Sequence, residues 1–138
     1  LLLTTDGERL LLSDFGLARS FEQAGLSGLT RTGDRRGTFA FMAPEQLLNA
    51  RLADPRSDLY SAAATLYRLL TGHHLWNPNS ELRDPLLQIL HEDPVPIQQR
   101  RSDVPDGLAW VIHRALNRDP KRRFADAEAM RQAMRAEV

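Results

Sequence analysis

The spacing of hydrophobic positions divides the chain into a short hairpin, a long polar loop and a series of helices. Two apolar runs, residues 1–3 and 10–12, flank Asp6-Gly7, a dipeptide suited to a tight turn with positive φ. Between residues 16 and 36 the apolar periodicity vanishes, which predicts a long loop. Loops of this length inside compact domains are usually functional or disordered.

The rest of the chain predicts about five helices. The first begins at Pro44, the third follows Asp84-Pro85, the fourth has Asp106 as its cap and the fifth begins near Asp126. The second helix lies within residues 56–72 and is expected to be central and buried, because both of its faces are apolar. Its apolar residues are Leu59, Ala62, Ala63, Leu66, Leu69 and Leu70 on one face, and Tyr60, Ala64 and Tyr67 on the other. These elements predict a mainly α fold.

Composition narrows the function classes. The net charge is zero, which gives no reason to expect nucleic acid or an anionic membrane as a partner. The absence of cysteine excludes disulfides, thiol catalysis and Cys-based zinc sites. Charged residues interrupt the leucine-rich opening, so we expect neither a signal peptide nor a membrane span there. Because the first residue is Leu1, we expect the start to be a cut through an open reading frame.

Two tripeptides carry the candidate chemistry. Asp14-Phe15-Gly16 follows the apolar run 10–12 after one intervening serine, and Ala-Pro-Glu occupies residues 43–45 at the start of the first predicted helix. Either tripeptide alone is a weak signal. The order of strand, Asp-Phe-Gly, a loop of a few tens of residues and Ala-Pro-Glu opening a helix is typical of a protein kinase activation segment.

Five ordered stretches then identify a family resemblance. The chain resembles the eukaryotic-like (Hanks-type) serine/threonine protein kinases, the bacterial branch in particular, in "LLLSDFGLA", "GTFAFMAPEQ", "DPRSDLYSAAATLYRLLTG", "HEDPVPI" and "ALNRDPKRRFADAEAM". The resemblance implies a protein-kinase-like C-lobe over residues 1–138, with the N-lobe and catalytic loop absent. Within it, residues 1–13 would form the β-hairpin, 14–45 the activation segment and 46–138 the helical subdomain.

The resemblance implies roles for the loop residues. Asp14 would be the Mg²⁺ ligand of the ATP site, with Phe15 packing into the lobe and Gly16 permitting the loop backbone to flip. Thr38 would contact the catalytic aspartate and orient the substrate hydroxyl. The alternatives are an ordinary loop aspartate at position 14 and a capping threonine at position 38.

Three further residues would be structural. Glu45 and Arg123 would form the family's ion pair, joining the Ala-Pro-Glu helix to the turn before the last helix. Asp58 would accept hydrogen bonds from the catalytic-loop backbone, and its alternative role is a cap on its own helix.

The loop also contains candidate phosphorylation sites. Bacterial members of the family commonly autophosphorylate a Thr-x-Thr pair at the spacing of Thr30 and Thr32. Arg31, Arg35 and Arg36 supply nearby positive charge that could order a phosphorylated loop. The alternative is a solvated flexible loop.

The function implied for the parent protein is transfer of the ATP γ-phosphate to Ser/Thr hydroxyls of proteins, with ATP and Mg²⁺ as cofactors. The resemblance further implies protein substrates, a kinase–kinase dimer as a route to autophosphorylation, and a cytoplasmic kinase domain. Bacterial members often carry a membrane span beyond that domain.

The 138 residues alone are expected to be inactive. They contain no His-Arg-Asp triplet, and Lys121 is the sole lysine. An active kinase needs a lysine on a strand to position phosphates. The alternative function is a non-catalytic kinase-lobe remnant that binds proteins as a scaffold or decoy.

Overall fold

The computed structural model describes residues 2–3, 7, 10–11, 39–49, 53–77, 79–82 and 84–137. The chain divides into two compact units, residues 1–32 and residues 33–138.

The first unit contains an antiparallel pair of short strands. Strand β1 (Leu2–Leu3) pairs with β2 (Leu10–Leu11), with Leu2 opposite Leu11 and Leu3 opposite Leu10. Gly7 lies between them with φ of 74°, a conformation that glycine adopts without the steric cost of a Cβ atom. The predicted antiparallel pairing of the two apolar runs is confirmed.

The second unit is helical. Its elements are α1 (Pro44–Leu48), α2 (Pro55–Thr71), α3 (Pro85–His91), α4 (Ile97–Arg100), α5 (Asp106–Ala115), a 3-10 helix (Pro120–Arg122) and α6 (Ala127–Ala136). The mainly α fold class is confirmed. Helix α4 was not among the predicted helices, because four residues are too few to display a 3.6-residue repeat.

Several of these helices begin with an aspartate whose carboxylate accepts a backbone N–H of the first turn. Asp54 accepts from the N–H of Arg56 at 2.7 Å, Asp84 from that of Leu86 at 2.9 Å, and Asp126 from that of Ala129 at 2.8 Å. Such caps satisfy donors that have no partner inside the helix.

The predicted cap of α5 was wrong by one position. Pro105 is the cap residue and Asp106 is the first helical residue. The Asp106 carboxylate instead accepts a hydrogen bond from Gln98 Nε2 at 2.7 Å.

The core lies where α2 packs against α5 and the segments around them. Its most deeply buried side chains include Tyr60, Ala63, Tyr67, Leu75, Ile97, Val111, Ile112 and Ala115. Helix α2 is central and buries residues of both predicted faces, Leu59 and Ala63 of one and Tyr60, Ala64 and Tyr67 of the other, but it is not buried all round. Leu69 is 70% exposed, and Asp58 and Ala62 are exposed on the same side. Sequence periodicity shows which positions of the helix are apolar, but it does not show whether each of them has a packing partner.

Helix α4 is held by side chains from α2 and α5. The Ile97 N–H donates to His113 Nε2 at 2.9 Å, and the Tyr67 hydroxyl donates to the Val95 carbonyl at 2.9 Å. The Arg100 guanidinium lies 5.6 Å from the centroid of the Tyr67 ring and donates to the Trp76 carbonyl at 2.7 Å. These bonds fix the chain between α3 and α5.

None of the helices in the described part of the chain combines the length and apolar character needed to cross a bilayer.

Candidate functional site

The Ala-Pro-Glu tripeptide forms the first turn of α1. Pro44 occupies the first helical position, and the Ala43 N–H donates to Gln46 Oε1 at 3.0 Å. Ala43, Pro44 and Glu45 are all buried. Five residues are too few for a helix that is stable by itself. The position of α1 therefore depends on what its buried first turn contacts.

The main contact is a buried ion pair between Glu45 and Arg123, which the structure brings together across 78 positions of sequence. Arg123 Nη1 lies 2.7 Å from Glu45 Oε1, and Nη2 lies 2.8 Å from Oε2. The Glu45 side chain is 10% exposed, and the Arg123 side chain is 0% exposed. Two parallel N–H···O bonds of this kind give geometric specificity as well as energy.

Every N–H of the Arg123 guanidinium has an acceptor. Beyond Glu45, Nε donates to the Asn117 carbonyl at 2.7 Å, Nη1 to the Arg56 carbonyl at 3.0 Å and Nη2 to the Arg118 carbonyl at 3.4 Å. A guanidinium has five N–H donors, so none is left unpaired in the interior. Because a buried charge without partners is strongly destabilising, this completeness explains how arginine is accommodated here.

Two residues of α2 complete the surroundings of the pair. The Ser57 hydroxyl donates to Glu45 Oε1 at 2.6 Å and accepts the Asp54 N–H at 3.3 Å. The Arg123 guanidinium carbon lies 5.0 Å from the centroid of the Tyr60 ring, within range of a cation–π interaction.

The environment shifts the pKa of both acidic groups beside Arg123. Burial acts to raise the pKa of Glu45, but the hydrogen bonds from Arg123 and Ser57 outweigh it and hold that pKa below the usual 4.5. Burial raises the pKa of the Tyr60 hydroxyl, so this side chain stays neutral at physiological pH. Glu45 is therefore an anion, which can only accept hydrogen bonds.

The contacts among Glu45, Ser57 and Arg123 join α1 to the start of α2 and to the turn that precedes α6. Within the described ranges, no group of three or more His, Asp or Glu side chains could hold a metal ion.

Asp58 does not cap α2. It lies in the first turn of that helix, is exposed, and makes no hydrogen bond to a described residue, whereas Asp54 is the cap. The cap alternative considered for Asp58 was therefore wrong. The expectation that Asp58 binds a catalytic-loop backbone stays a prediction.

The remaining predicted site residues lie outside the described part of the chain. They are Asp14, Phe15, Gly16, Thr30, Thr32 and Thr38. Their roles stay predictions.

Sequence reasoning missed Ser57. The spacing Asp54-x-x-Ser57 is that of a capping box, which would have predicted a bond between Ser57 and the Asp54 backbone. Nothing in the local sequence indicates the bond to Glu45, because it joins two elements whose contact depends on tertiary packing.

Comparison with known proteins matches residues 1–135 to the model of the protein kinase domain. Serine/threonine-protein kinase PknJ of Mycobacterium tuberculosis is 39% identical over 121 residues, which cover 87% of this chain and 20% of the relative. PknL of the same species is 37% identical over 134 residues, 94% of this chain and 31% of the relative. PknB of Mycolicibacterium smegmatis is 37% identical over 118 residues, 86% of this chain and 18% of the relative. The chain thus spans less than a third of the length of these curated relatives.

Proposed function

The chain belongs to the protein kinase domain family, and from this premise we propose that it is C-lobe sequence of a serine/threonine kinase that transfers the ATP γ-phosphate to Ser/Thr hydroxyls of proteins. The observation that carries the proposal is the family match over residues 1–135, which includes both the Asp-Phe-Gly and the Ala-Pro-Glu tripeptides in their expected order. The buried pair of Glu45 and Arg123 supports it, because it anchors the Ala-Pro-Glu turn to the helical core.

Within this proposal, residues 14–45 are the activation segment and residues 46–138 the helical subdomain. Asp14 supplies carboxylate oxygen, the ligand type that Mg²⁺ prefers. ATP would supply the phosphoryl group, and the metal would neutralise charge during its transfer. Thr38 orients the substrate hydroxyl.

The direct test is phosphate transfer by a longer polypeptide that contains this sequence together with a catalytic loop and an ATP-binding lobe. With labelled ATP, Mg²⁺ and a protein substrate, we expect phosphoserine or phosphothreonine to form. Asp14→Asn should abolish the transfer, because an amide binds Mg²⁺ far more weakly than a carboxylate does. Asp103→Asn is the matched control, since Asp103 is exposed and its side chain pairs with Arg101 at the surface. Wild-type rates for Asp14→Asn would contradict the proposal.

Thr30 and Thr32 are proposed as autophosphorylation sites of the same loop. Each phosphate would add about −1.5 to −2 charge next to Arg31, Arg35 and Arg36. One kinase copy would present this loop to another, which makes a transient dimer part of the proposal. Mass spectrometry after incubation with Mg-ATP should find phosphate on these residues, and its absence there with phosphate on other residues would count against them.

ATP as phosphoryl donor favours a cytoplasmic placement of the domain. Protease accessibility of the longer polypeptide in intact cells, compared with lysed cells, tests this placement.

A further inference from the structure

We propose that Ser57 is a positioning residue for phosphoryl transfer, because its hydroxyl fixes the Ala-Pro-Glu turn relative to the start of α2. The proposal rests on the kinase function proposed above.

The direction of the hydrogen bonds at Ser57 is determined by their partners. Glu45 is ionised and therefore accepts, so the hydroxyl proton of Ser57 must point at Glu45 Oε1, 2.6 Å away. The Asp54 N–H then donates to the Ser57 oxygen, at 3.3 Å. Ser57 is 1% exposed, so water does not compete for either bond. The hydroxyl thus links the cap of α2 directly to the buried carboxylate.

Arg123 and Ser57 hold the same carboxylate from different elements. Arg123 comes from the turn before α6 and contacts both oxygens of Glu45, whereas Ser57 comes from α2 and contacts Oε1 alone. The bidentate pair fixes the carboxylate relative to the turn before α6, whereas the Ser57 bond ties the same carboxylate to α2. The Ser57 bond is a third hydrogen bond to the Glu45 carboxylate, and it comes from α2. It therefore restrains the orientation of α1 against α2.

That orientation matters because of what precedes α1. Residues 39–43 lead into α1, and within them the Met42 N–H donates to the Phe39 carbonyl at 3.0 Å. Thr38, the proposed substrate-orienting residue, is the neighbour of Phe39 in sequence. A rotation of α1 would therefore be passed along a few residues of chain to the substrate side. Binding of ATP, which depends on other residues, should be less affected.

The test uses kinetics of the longer polypeptide. In Ser57→Ala and in Ser57→Cys, which is closer in volume, we expect kcat to fall by about tenfold, the factor that corresponds to losing one hydrogen bond to a charged group. The KM for ATP should stay unchanged. Ser57→Thr keeps the hydroxyl and should recover most of the rate. Ser61→Ala is the matched control. Ser61 lies one turn further along α2, and its hydroxyl bonds to no described residue.

A second readout does not require catalysis. In the 138-residue chain, the carboxyl ¹³C resonance of Glu45 can be followed against pH. Loss of the Ser57 hydrogen bond should raise the pKa of Glu45 in Ser57→Cys and leave it unchanged in Ser61→Ala. A general loosening of the fold would not single out this carboxylate.

The outcomes separate this inference from the proposed function. Wild-type kcat in Ser57→Cys overturns the positioning role, and so does an unchanged Glu45 titration in that variant. If Ser57→Ala does not fold, Ser57→Cys and Ser57→Thr still decide. If the wild-type longer polypeptide transfers no phosphate, the proposed function fails, and the Glu45 titration alone then supports or overturns the Ser57 link.

Discussion

Arg123 shows why a single side chain can hold three segments of a chain together. Its acceptors are the Glu45 carboxylate of α1, the Arg56 carbonyl in α2, and the Asn117 and Arg118 carbonyls that precede the 3-10 helix. The planar guanidinium directs its donors outward at fixed angles, which suits several acceptors spread around it. An ammonium group is compact and has three donors, so it cannot satisfy the same set.

We therefore predict that Arg123→Lys lowers the free energy of unfolding by about 3 kcal/mol, although it keeps the charge. This is the lower end of the range for breaking a buried pair. The matched control is Arg131→Lys. Arg131 pairs with Glu128 on the surface, with side chains 48% and 55% exposed, and we expect a change within about 0.5 kcal/mol. Urea denaturation of both variants measures the difference. Equal midpoints would show that the donor geometry of Arg123 contributes nothing.

Removing the partner carboxylate should also be costly. Glu45→Ala leaves the Arg123 charge buried without its anion, and we expect a loss of about 3–5 kcal/mol in unfolding free energy. Glu92→Ala, at the end of α3, provides a comparison at a less buried carboxylate. An unchanged denaturation midpoint for Glu45→Ala would contradict a stabilising role of the pair.

His113 gives a pH dependence with a definite sign. Burial lowers its pKa below the usual 6.5, and its Nε2 accepts the Ile97 N–H, which only the neutral ring can do. As the pH falls below 6.5, the unfolded chain takes up a proton at this histidine before the folded chain does. The stability that the neutral ring contributes is therefore lost as the pH falls, down to the folded pKa.

We predict that the free energy of unfolding decreases as the pH is lowered through this window, and that His113→Gln flattens the decrease because the amide oxygen accepts without titrating. The pKa of His74 is also lowered, by burial and then by Arg68 and Arg100, so His74 contributes to the same decrease. His74→Gln is the comparison, because it removes the His74 contribution and keeps that of His113. Urea denaturation at several pH values measures the slopes. An unchanged slope in His113→Gln would refute this account. Glu45 adds a separate loss at lower pH, since its pKa lies below 4.5.

At the scale of elements, helix existence was predictable where capping and periodicity agree. The starts of α3 and α6 follow from Asp84 and Asp126, because an aspartate that caps a helix acts on its nearest neighbours in sequence. Helix α4 was not predictable in this way. It depends on Ile97 being bound by His113 from α5, a contact between residues 16 positions apart that no local pattern encodes.

The start of α2 gives a prediction that separates two neighbouring aspartates. Asp54 caps the helix at 2.7 Å from the Arg56 N–H, so Asp54→Ala should lower the free energy of unfolding by about 1 kcal/mol. Asp58→Ala should change it by less than about 0.5 kcal/mol, because Asp58 is exposed and bonds to no described residue. Thermal or urea denaturation compares the two. A larger effect at Asp58 than at Asp54 would reverse the assignment of the cap.

The candidate site was only partly predictable from sequence. The pairing of Glu45 with Arg123 followed from family resemblance, since no local rule joins residues 78 positions apart. Ser57 was missed because its bond to Glu45 exists only once α1 lies against α2. The same reasoning explains the exposed Leu69, because an apolar helix face indicates that burial is favourable but does not identify a partner.

At the scale of the whole molecule, the position of the single lysine argues against nucleotide binding by these 138 residues alone. Kinases position the phosphates of ATP with a lysine on a strand. Lys121 is the sole lysine of the sequence, and it lies exposed in the 3-10 helix, where its N–H donates to the Asp119 carboxylate at 2.9 Å. It lies two positions before Arg123, in the turn that anchors the ion pair, and not on a strand.

We therefore predict that the 138-residue chain binds Mg-ATP no better than non-specifically, even though it carries the proposed magnesium ligand Asp14. A single carboxylate provides one of the several contacts that a bound nucleotide needs, and the affinity of one such contact does not offset the entropy lost on binding. Isothermal titration calorimetry of the chain with Mg-ATP should give no saturable heat, and a longer polypeptide that also contains a catalytic loop and an ATP-binding lobe is the positive control. A micromolar dissociation constant for the chain itself would show that its own residues form a nucleotide site, and would require reassigning the phosphate-binding role to arginine.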